Sequence, residues 1–411
     1  MNSRDRVLAA FNHEETDRVP IDFSGHRSSG IAAIAYEKLR NYLGFERKPI
    51  RVYDIQQQLA IVDDDVLDRF NVDTTELGRA FALDDADWAD WTLPNGSPCQ
   101  VPVWTLPERI DRAWVIRSKT GRVVGRMPDG ALYFEWAYFP WVENEPDHDA
   151  LEAAMADVMW NIPSPPGPLV EGPDGDRLLV EGARRLREST DRVIMGLYSC
   201  NLMEWGQYLY RNDNFLALLA SEPDQAHDIL ERLTQFHMKG LEKFLGLVGQ
   251  YVDVINFSDD LGMQTGPMIS PRMYREFFKP RHARLWKRAK ADGVKAMLHS
   301  CGDIRLLLPD LIEAGLDAVN PVQVSCKGME PEGLKRDFGK DITFWGGGCD
   351  TQWLLSHGSP EEVTTHVKHQ VEVLRQGGGF VFQQVHNILA DVPPENIVAM
   401  FDTARGLVRV S

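Results

Sequence analysis

The stretch VKAMLHSCGD, residues 294–303, decides the fold. Its apolar beginning ends in His299 and Cys301, two residues apart and followed at once by Gly302-Asp303. Side chains at i and i+2 of a strand point to the same face, so His299 and Cys301 project together from the strand's end. Two ligands aimed at one metal are placed in that way. Asp303 then precedes IRLLLPDLIEAG, where an acidic cap predicts the start of a helix.

The same unit, a short apolar run followed by an amphipathic one, recurs on both sides. Residues 192–200, 252–260, 317–325, 342–350 and 380–388 read as further strands (RVIMGLYSC, VDVINFSDD, DAVNPVQVS, ITFWGGGCD, FVFQQVHNI). Between them Ser270-Pro271, Ser359-Pro360-Glu361-Glu362 and Pro393-Pro394-Glu395 open helices, while Gly315 and Gly377 to Gly379 close them. Strands alternating with helices predict a parallel sheet joined by crossovers. Upstream, RVPIDFSG (18–25) and NVDTTELG (71–78) add two strands, making eight, the number that closes a (β/α)8 TIM barrel.

Residues 80–165 break the pattern. They are rich in Trp, Pro, Asp and Gly, and the turn pairs Asn95-Gly96 and Asp129-Gly130 mark hairpins, which predicts a β-rich insertion in an early βα loop. The Pro-rich NIPSPPGP (161–168) is the seam where it rejoins the barrel. The expected organisation is therefore 1–79, the N-terminal part of the barrel; 80–165, the insertion; and 166–411, the remainder with the metal site. Trp88, Trp91, Trp104 and Trp114 crowd the insertion, where packing a small β layer is the expected task.

Composition narrows the function classes. With 411 residues, 43% hydrophobic and 26% charged, the chain is an ordinary globular one. A net charge of −17 without any basic run excludes nucleic acid and anionic membranes as expected partners. No segment approaches the roughly 18 apolar residues of a membrane span, nor does the N-terminus carry a signal peptide, so the expected location is cytoplasmic. Five cysteines in such a chain do not form a disulfide framework. Cys99, Cys200 and Cys326 read as small buried hydrophobes.

Catalytic groups of such barrels stand at the C-terminal ends of the strands. Here those ends carry Asp259-Asp260, His299 and Cys301, Cys349-Asp350, and Gln384-Val385-His386-Asn387. A catalytic zinc takes three protein ligands of imidazole or thiolate type and keeps one position open. His299, Cys301 and His386 supply that set, with Cys349 as the rival third ligand. Asp259 and Asp260, followed by Gln264, are candidates to orient His299 or to take a proton from substrate. Asp22 and Glu76, on the first two strands, are weaker candidates of the same kind.

The opening RVLAAFNHEETDRVPIDF (6–23), the HSCGD segment (299–303) and VHNILADVPPENIVAMF (385–401) together resemble the uroporphyrinogen decarboxylase superfamily, in particular its zinc-dependent, corrinoid-linked methyltransferase branch. The resemblance implies a (β/α)8 barrel whose Zn2+ activates an acceptor for methyl transfer to or from a corrinoid (cobalamin) carried on a partner protein. In that branch the zinc set is one His and two Cys. The first two match His299 and Cys301, and the second Cys falls on His386.

One thiolate and two neutral imidazoles leave a zinc site at net +1, which makes the ion a stronger Lewis acid and a bound thiolate a weaker nucleophile. A substrate oxygen as leaving group, as in demethylation, then joins the thiol among the expected chemistries. The expected small-molecule partner is a methylated ether or amine, or a thiol acceptor, and a homodimer is the default assembly. Two alternatives stand beside this: a metal-free decarboxylase-type lyase, for which Arg27 in GHRSSG is a thin arginine supply, and a non-catalytic barrel whose zinc staples strand ends through Cys349.

Overall fold

A computed structural model describes residues 1–406. At its centre is a curled sheet of seven parallel strands: β1 (Thr74–Glu76), β2 (Val193–Leu197), β3 (Val254–Ser258), β4 (Lys295–His299), β5 (Ala318–Asn320), β6 (Thr343–Trp345) and β7 (Phe380–Val381). Each strand pairs with its neighbours in the chain, so the order across the sheet runs from β7 to β1 without interruption. Helices intervene between successive strands, among them Gly175–Ser189, Lys279–Ala291, Pro331–Phe338 and Pro360–Leu374. Every one of these strands lies inside a run that the apolar pattern marks.

The eighth run, residues 18–25, makes a single bridge instead of a strand. Ile21 pairs in parallel with Phe382. Phe382 N donates to Pro20 O and Asp22 N to Phe382 O, both at 2.8 Å, while on the other side Asp73 N donates to Ile21 O at 2.8 Å. Regular pairing stops there because Pro20 has no N–H and the Ile21 N–H goes to the Asp73 carboxylate at 2.8 Å. The segment thus touches both edges of the curled sheet, an arrangement consistent with a TIM barrel.

Alternation along each strand divides the core in two. Val193, Met195, Val254, Met297, Ala318, Trp345 and Val381 face inward and cluster with Val7, Ala10 and Phe11 of the Ser3–Phe11 helix. That helix fills the sheet's concave side, with Phe11 5.8 Å from the Trp345 ring. Their outward neighbours, such as Ile194, Ile255, Leu298 and Phe344, join the larger cluster under the surrounding helices.

Caps mark some of the boundaries. Ser359 and Glu362 form a reciprocal capping box at the start of Pro360–Leu374, and Ser270 accepts from Met273 N. Gly315 takes φ +99° just past the Leu308–Glu313 helix. That helix departs from expectation: it begins at Leu308, not directly after Asp303. Pro309 lacks an N–H and fits only a first turn, and Asp303 N is already engaged by Met263 O at 2.8 Å.

Between β1 and β2 the chain forms antiparallel strands. Trp88–Thr92 and Pro98–Pro102 pair across Asn95-Gly96, and Glu108–Ile110, Ala113–Arg117, Val123–Pro128 and Glu135–Trp136 form a meander. Trp91 and Trp114 meet edge to face at 5.4 Å, and Trp104 Nε1 donates to Pro163 O in the Pro-rich segment at 2.9 Å. No helix among the described residues is long and apolar enough to cross a membrane.

Candidate metal centre

Register places the centre. His299, the last residue of β4, is paired with Ser258 on β3 and with Asn320 on β5. Beyond it Cys301 turns to the same side, and His386 follows β7. The ligating atoms of His299, Cys301 and His386 all lie within 4.8 Å of one another. His299 Nε2 is 3.4 Å from Cys301 Sγ, and the two imidazoles are 5.4 Å apart at 63°. Ligands held at roughly 2.0 to 2.3 Å by one tetrahedral ion have such spacings.

A buried polar chain fixes which nitrogen of His299 faces this point. The Asn320 amide nitrogen donates to Trp345 O at 3.0 Å and to Gln383 Oε1 at 2.8 Å, so its oxygen must turn toward His299. Asn320 Oδ1 lies 2.8 Å from His299 Nδ1, which therefore carries the proton. Nε2 is left as the acceptor nitrogen, 3.4 Å from both Cys301 Sγ and Ser28 Oγ. Gln383 Oε1 is also 3.2 Å from His26 Nε2, which is 3.2 Å from Asp22. Burial opposes the Asp22 charge, but His26, Thr74 and Trp345 outweigh it and hold the carboxyl below its usual range.

Both imidazoles stay neutral. Burial lowers His299 against the opposing pull of Asp260 and Asn320, and burial with the nearby His299 and His26 pushes His386 down to about 3. Burial, with Asp260 next, pushes the Cys301 thiol well above its usual range, a bias that a bound cation inverts. The His386 ring has no hydrogen-bond partner among the described residues. Two neutral imidazoles and one thiol, with one tautomer imposed and one ring unengaged, fit a zinc ion.

The remaining candidates separate. Asp260 Oδ1 accepts from Cys301 N at 2.8 Å and stands 3.8 Å from His299 Nε2. Asp259 lies behind the site, fully buried, and accepts from the backbone N–H groups of Leu202, Met203 and Glu204. Gln264 is at the outer rim, donating to Ser325 O. Cys349 lies outside the ligand group; its thiol faces Asp350 O at 3.8 Å. Cys99, Cys200 and Cys326 are buried. Glu76 is buried beside Tyr53 and Arg79 around a separate small cavity.

His299, His386 and Asp260 open onto a cavity of about 610 Å³. Its other walls include Arg27, Glu204 and Tyr208, and Tyr133, Trp136 and Trp160 enter from the segment between β1 and β2. None of the four tryptophans singled out in the sequence lines it. Sequence reasoning also passed over Asn320, Gln383 and Glu204. The first two stand in marked strand runs, and an inventory of every polar group at the strand ends reaches them. Glu204 gives no such signal.

The family model of uroporphyrinogen decarboxylase (URO-D) matches residues 200–407. A methylated-thiol–coenzyme M methyltransferase of Methanosarcina mazei is 28% identical over 173 residues, 41% of this chain and 41% of the relative, so the match spans about two fifths of that protein's length. A solved structure of a methyltransferase from Methanosarcina mazei superposes with a TM-score of 0.56 at 16% identity, covering 99% of this chain and 98% of the other. That likeness extends the shared fold to nearly the whole chain.

Proposed function

The chain belongs to the uroporphyrinogen decarboxylase (URO-D) family, and on that premise we propose that it is a zinc-dependent methyltransferase. It moves a methyl group between a small molecule and a corrinoid protein, in a cytoplasmic setting. The barrel is of the (β/α)8 type, with residues 80–165 as a β-rich insertion between 1–79 and 166–411. The observation that carries this is the convergence of His299, Cys301 and His386, two of which line a cavity large enough for a small substrate. Homology to a methyltransferase supports the reaction class.

His299, Cys301 and His386 would hold the zinc, which when bound supplies Lewis acidity toward the heteroatom of the substrate. The chain's own groups do the rest. Asn320 orients His299; Asp260 fixes the backbone of Cys301; Asp259 anchors the turn that carries Glu204; Gln264 ties the rim loop to Ser325. Met263, Leu306, Trp353 and Leu389, which follow β3, β4, β6 and β7 in the chain, are between 46% and 61% exposed, and Leu389 lines the cavity. Exposed apolar side chains of this kind suit a protein partner carrying the corrinoid.

A decarboxylase acting on a poly-acidic tetrapyrrole fits the cavity less well. Among the described residues lining the cavity Arg27 is the one arginine or lysine, and it is paired with Asp54 at 3.4 Å and bonded to Ser164 at 2.7 Å. A structural staple through Cys349 is disfavoured by that thiol's distance from the group. The test combines metal analysis with methyl transfer to a corrinoid protein. Stoichiometric zinc in the wild type and in Cys349→Ala, lost with activity in His386→Ala, is expected. Zinc lost in Cys349→Ala supports the staple, and transfer that survives complete chelation overturns the proposal.

A further inference from the structure

Glu204 stands on the wall of the cavity that His299 and His386 share, in the first turn of the Met203–Tyr210 helix. Its position is built from below. Asp259 accepts from Leu202, Met203 and Glu204 N at 3.2, 3.0 and 2.9 Å, and is itself held by His282 Nε2 at 3.1 Å, whose other nitrogen is 3.2 Å from Tyr274 OH. The Glu204 carboxyl is gripped by Asn201, by Tyr208 OH and by Ser258 Oγ at 3.1 Å. Ser258 is the register partner of His299 on the adjacent strand, so the carboxyl is tethered beside the ligand-bearing strand end.

The ionisable groups facing it are acids, a phenol and a thiol: Asp259 and Asp260 from the end of β3, Tyr208 from its own helix and Cys301 beyond β4. In the metal-free protein burial, then Asp260 and Asp259, outweigh the hydrogen bonds from Tyr208 and Asn201 and push the Glu204 carboxyl up to about 8, so it retains its proton there at neutral pH. With Arg27 paired with Asp54, no unpaired arginine or lysine among the described residues lines the wall to meet a carboxylate, sulfonate or phosphate of the substrate.

We propose that Glu204 is a catalytic acid that donates its proton to the departing heteroatom of an uncharged methyl donor, a methyl ether or methyl thioether. The proposal rests on the methyltransferase reading. The bond between methyl carbon and heteroatom breaks, and its electron pair stays on the heteroatom. That atom takes the Glu204 proton and leaves as a neutral alcohol or thiol. The methyl carbon takes the electron pair of the nucleophilic acceptor, a reduced corrinoid, and the Glu204 carboxylate regains a proton from water at the cavity mouth.

Two measurements test it. The first needs no substrate: infrared difference spectra of metal-free protein at pH 7 are expected to show a protonated-carboxyl band in the wild type that is missing in Glu204→Gln. The second compares donors in the zinc-loaded enzyme. Glu204→Gln is expected to lower transfer from a methyl ether or thioether by about 10²- to 10⁴-fold. With a methyl sulfonium, whose leaving group departs neutral without a proton, the loss is at least tenfold smaller. Should Glu204→Gln fail to fold, a wild-type rate that falls with rising pH for the ether and does not for the sulfonium serves in its place. An absent infrared band, or equal losses with both donors, overturns the role of Glu204 and leaves the methyltransferase reading intact. No transfer from any donor by the wild type overturns both.

Discussion

His299 Nδ1 and Asn320 Oδ1 lie 2.8 Å apart across the paired ends of β4 and β5, in an amide orientation that Trp345 O and Gln383 dictate. The strand register, not the local sequence around His299, therefore chooses its tautomer. Replacing Asn320 by Leu keeps the branching at Cγ and removes the acceptor. Zinc affinity is expected to fall about 10- to 100-fold, the cost typical of losing a group that orients a ligand. Competition with a chromophoric chelator measures it, and an unchanged affinity removes Asn320 from the account of the site.

Asp259 and Asp260 are adjacent in sequence but do different things. Asp259 is fully buried under three backbone N–H groups and His282, whereas the Asp260 side chain is 36% exposed beside the ligands. Asp259→Asn is expected to cost about 1–3 kcal/mol in chemical denaturation, because a buried donor array loses its charged acceptor. Zinc stoichiometry should be unchanged. Asp260→Asn reverses the pattern, with stability within about 0.5 kcal/mol of wild type and an altered zinc affinity.

These contrasts show what the sequence could carry. The strands were legible because each is an apolar run bounded by turn or cap residues, and because two ligand types two residues apart in HSC mean one face of one strand. Asp259 was legible as a strand-end acid but not as an anchor, since the helix it holds lies more than fifty residues earlier in the chain. Glu204 looks like any acidic residue in a first helical turn. What distinguishes it is burial beside two aspartates, and burial arises only when β2 and β3 are side by side. The run around Ile21 reads as a strand because alternation reports side-chain faces and is blind to the Asp73 carboxylate that takes the Ile21 N–H.

Glu76 gives the protein a pH dependence of its own. Burial pushes its carboxyl up to about 7, against the opposing pull of Arg27. A folded-state value above the unfolded one means that the folded chain binds the proton more tightly. The associated stability is complete below about pH 4.5 and is lost as pH rises to about 7, roughly 3 kcal/mol in all. Glu76→Gln should flatten that decline in urea titrations between pH 5 and pH 7. A slope identical to wild type assigns the dependence elsewhere.

Gly302, directly after Cys301, has a backbone that other residues rarely adopt. Its φ is +87°, and a Cβ built there would lie 2.4 Å from the Gly262 carbonyl carbon and 2.6 Å from Met263 N. Both obstacles are backbone, so nothing can rotate aside. From the other side, a Cβ on Gly262 would meet Cys301 O at 2.5 Å. The two glycines thus let the loop after β3 press against the turn that aims the Cys301 thiol. Gly302→Ala must push that turn outward and carry Cys301 away from His299 and His386. Gly377→Ala is the matched control, with a φ of +67° and open space around it. The control is expected to lose about 1 kcal/mol from backbone strain alone and to bind zinc normally. Gly302→Ala should lose more stability and zinc affinity together. Equal losses in the two variants, with zinc retained in both, would mean that the close approach of residues 262 and 302 does not position the thiol.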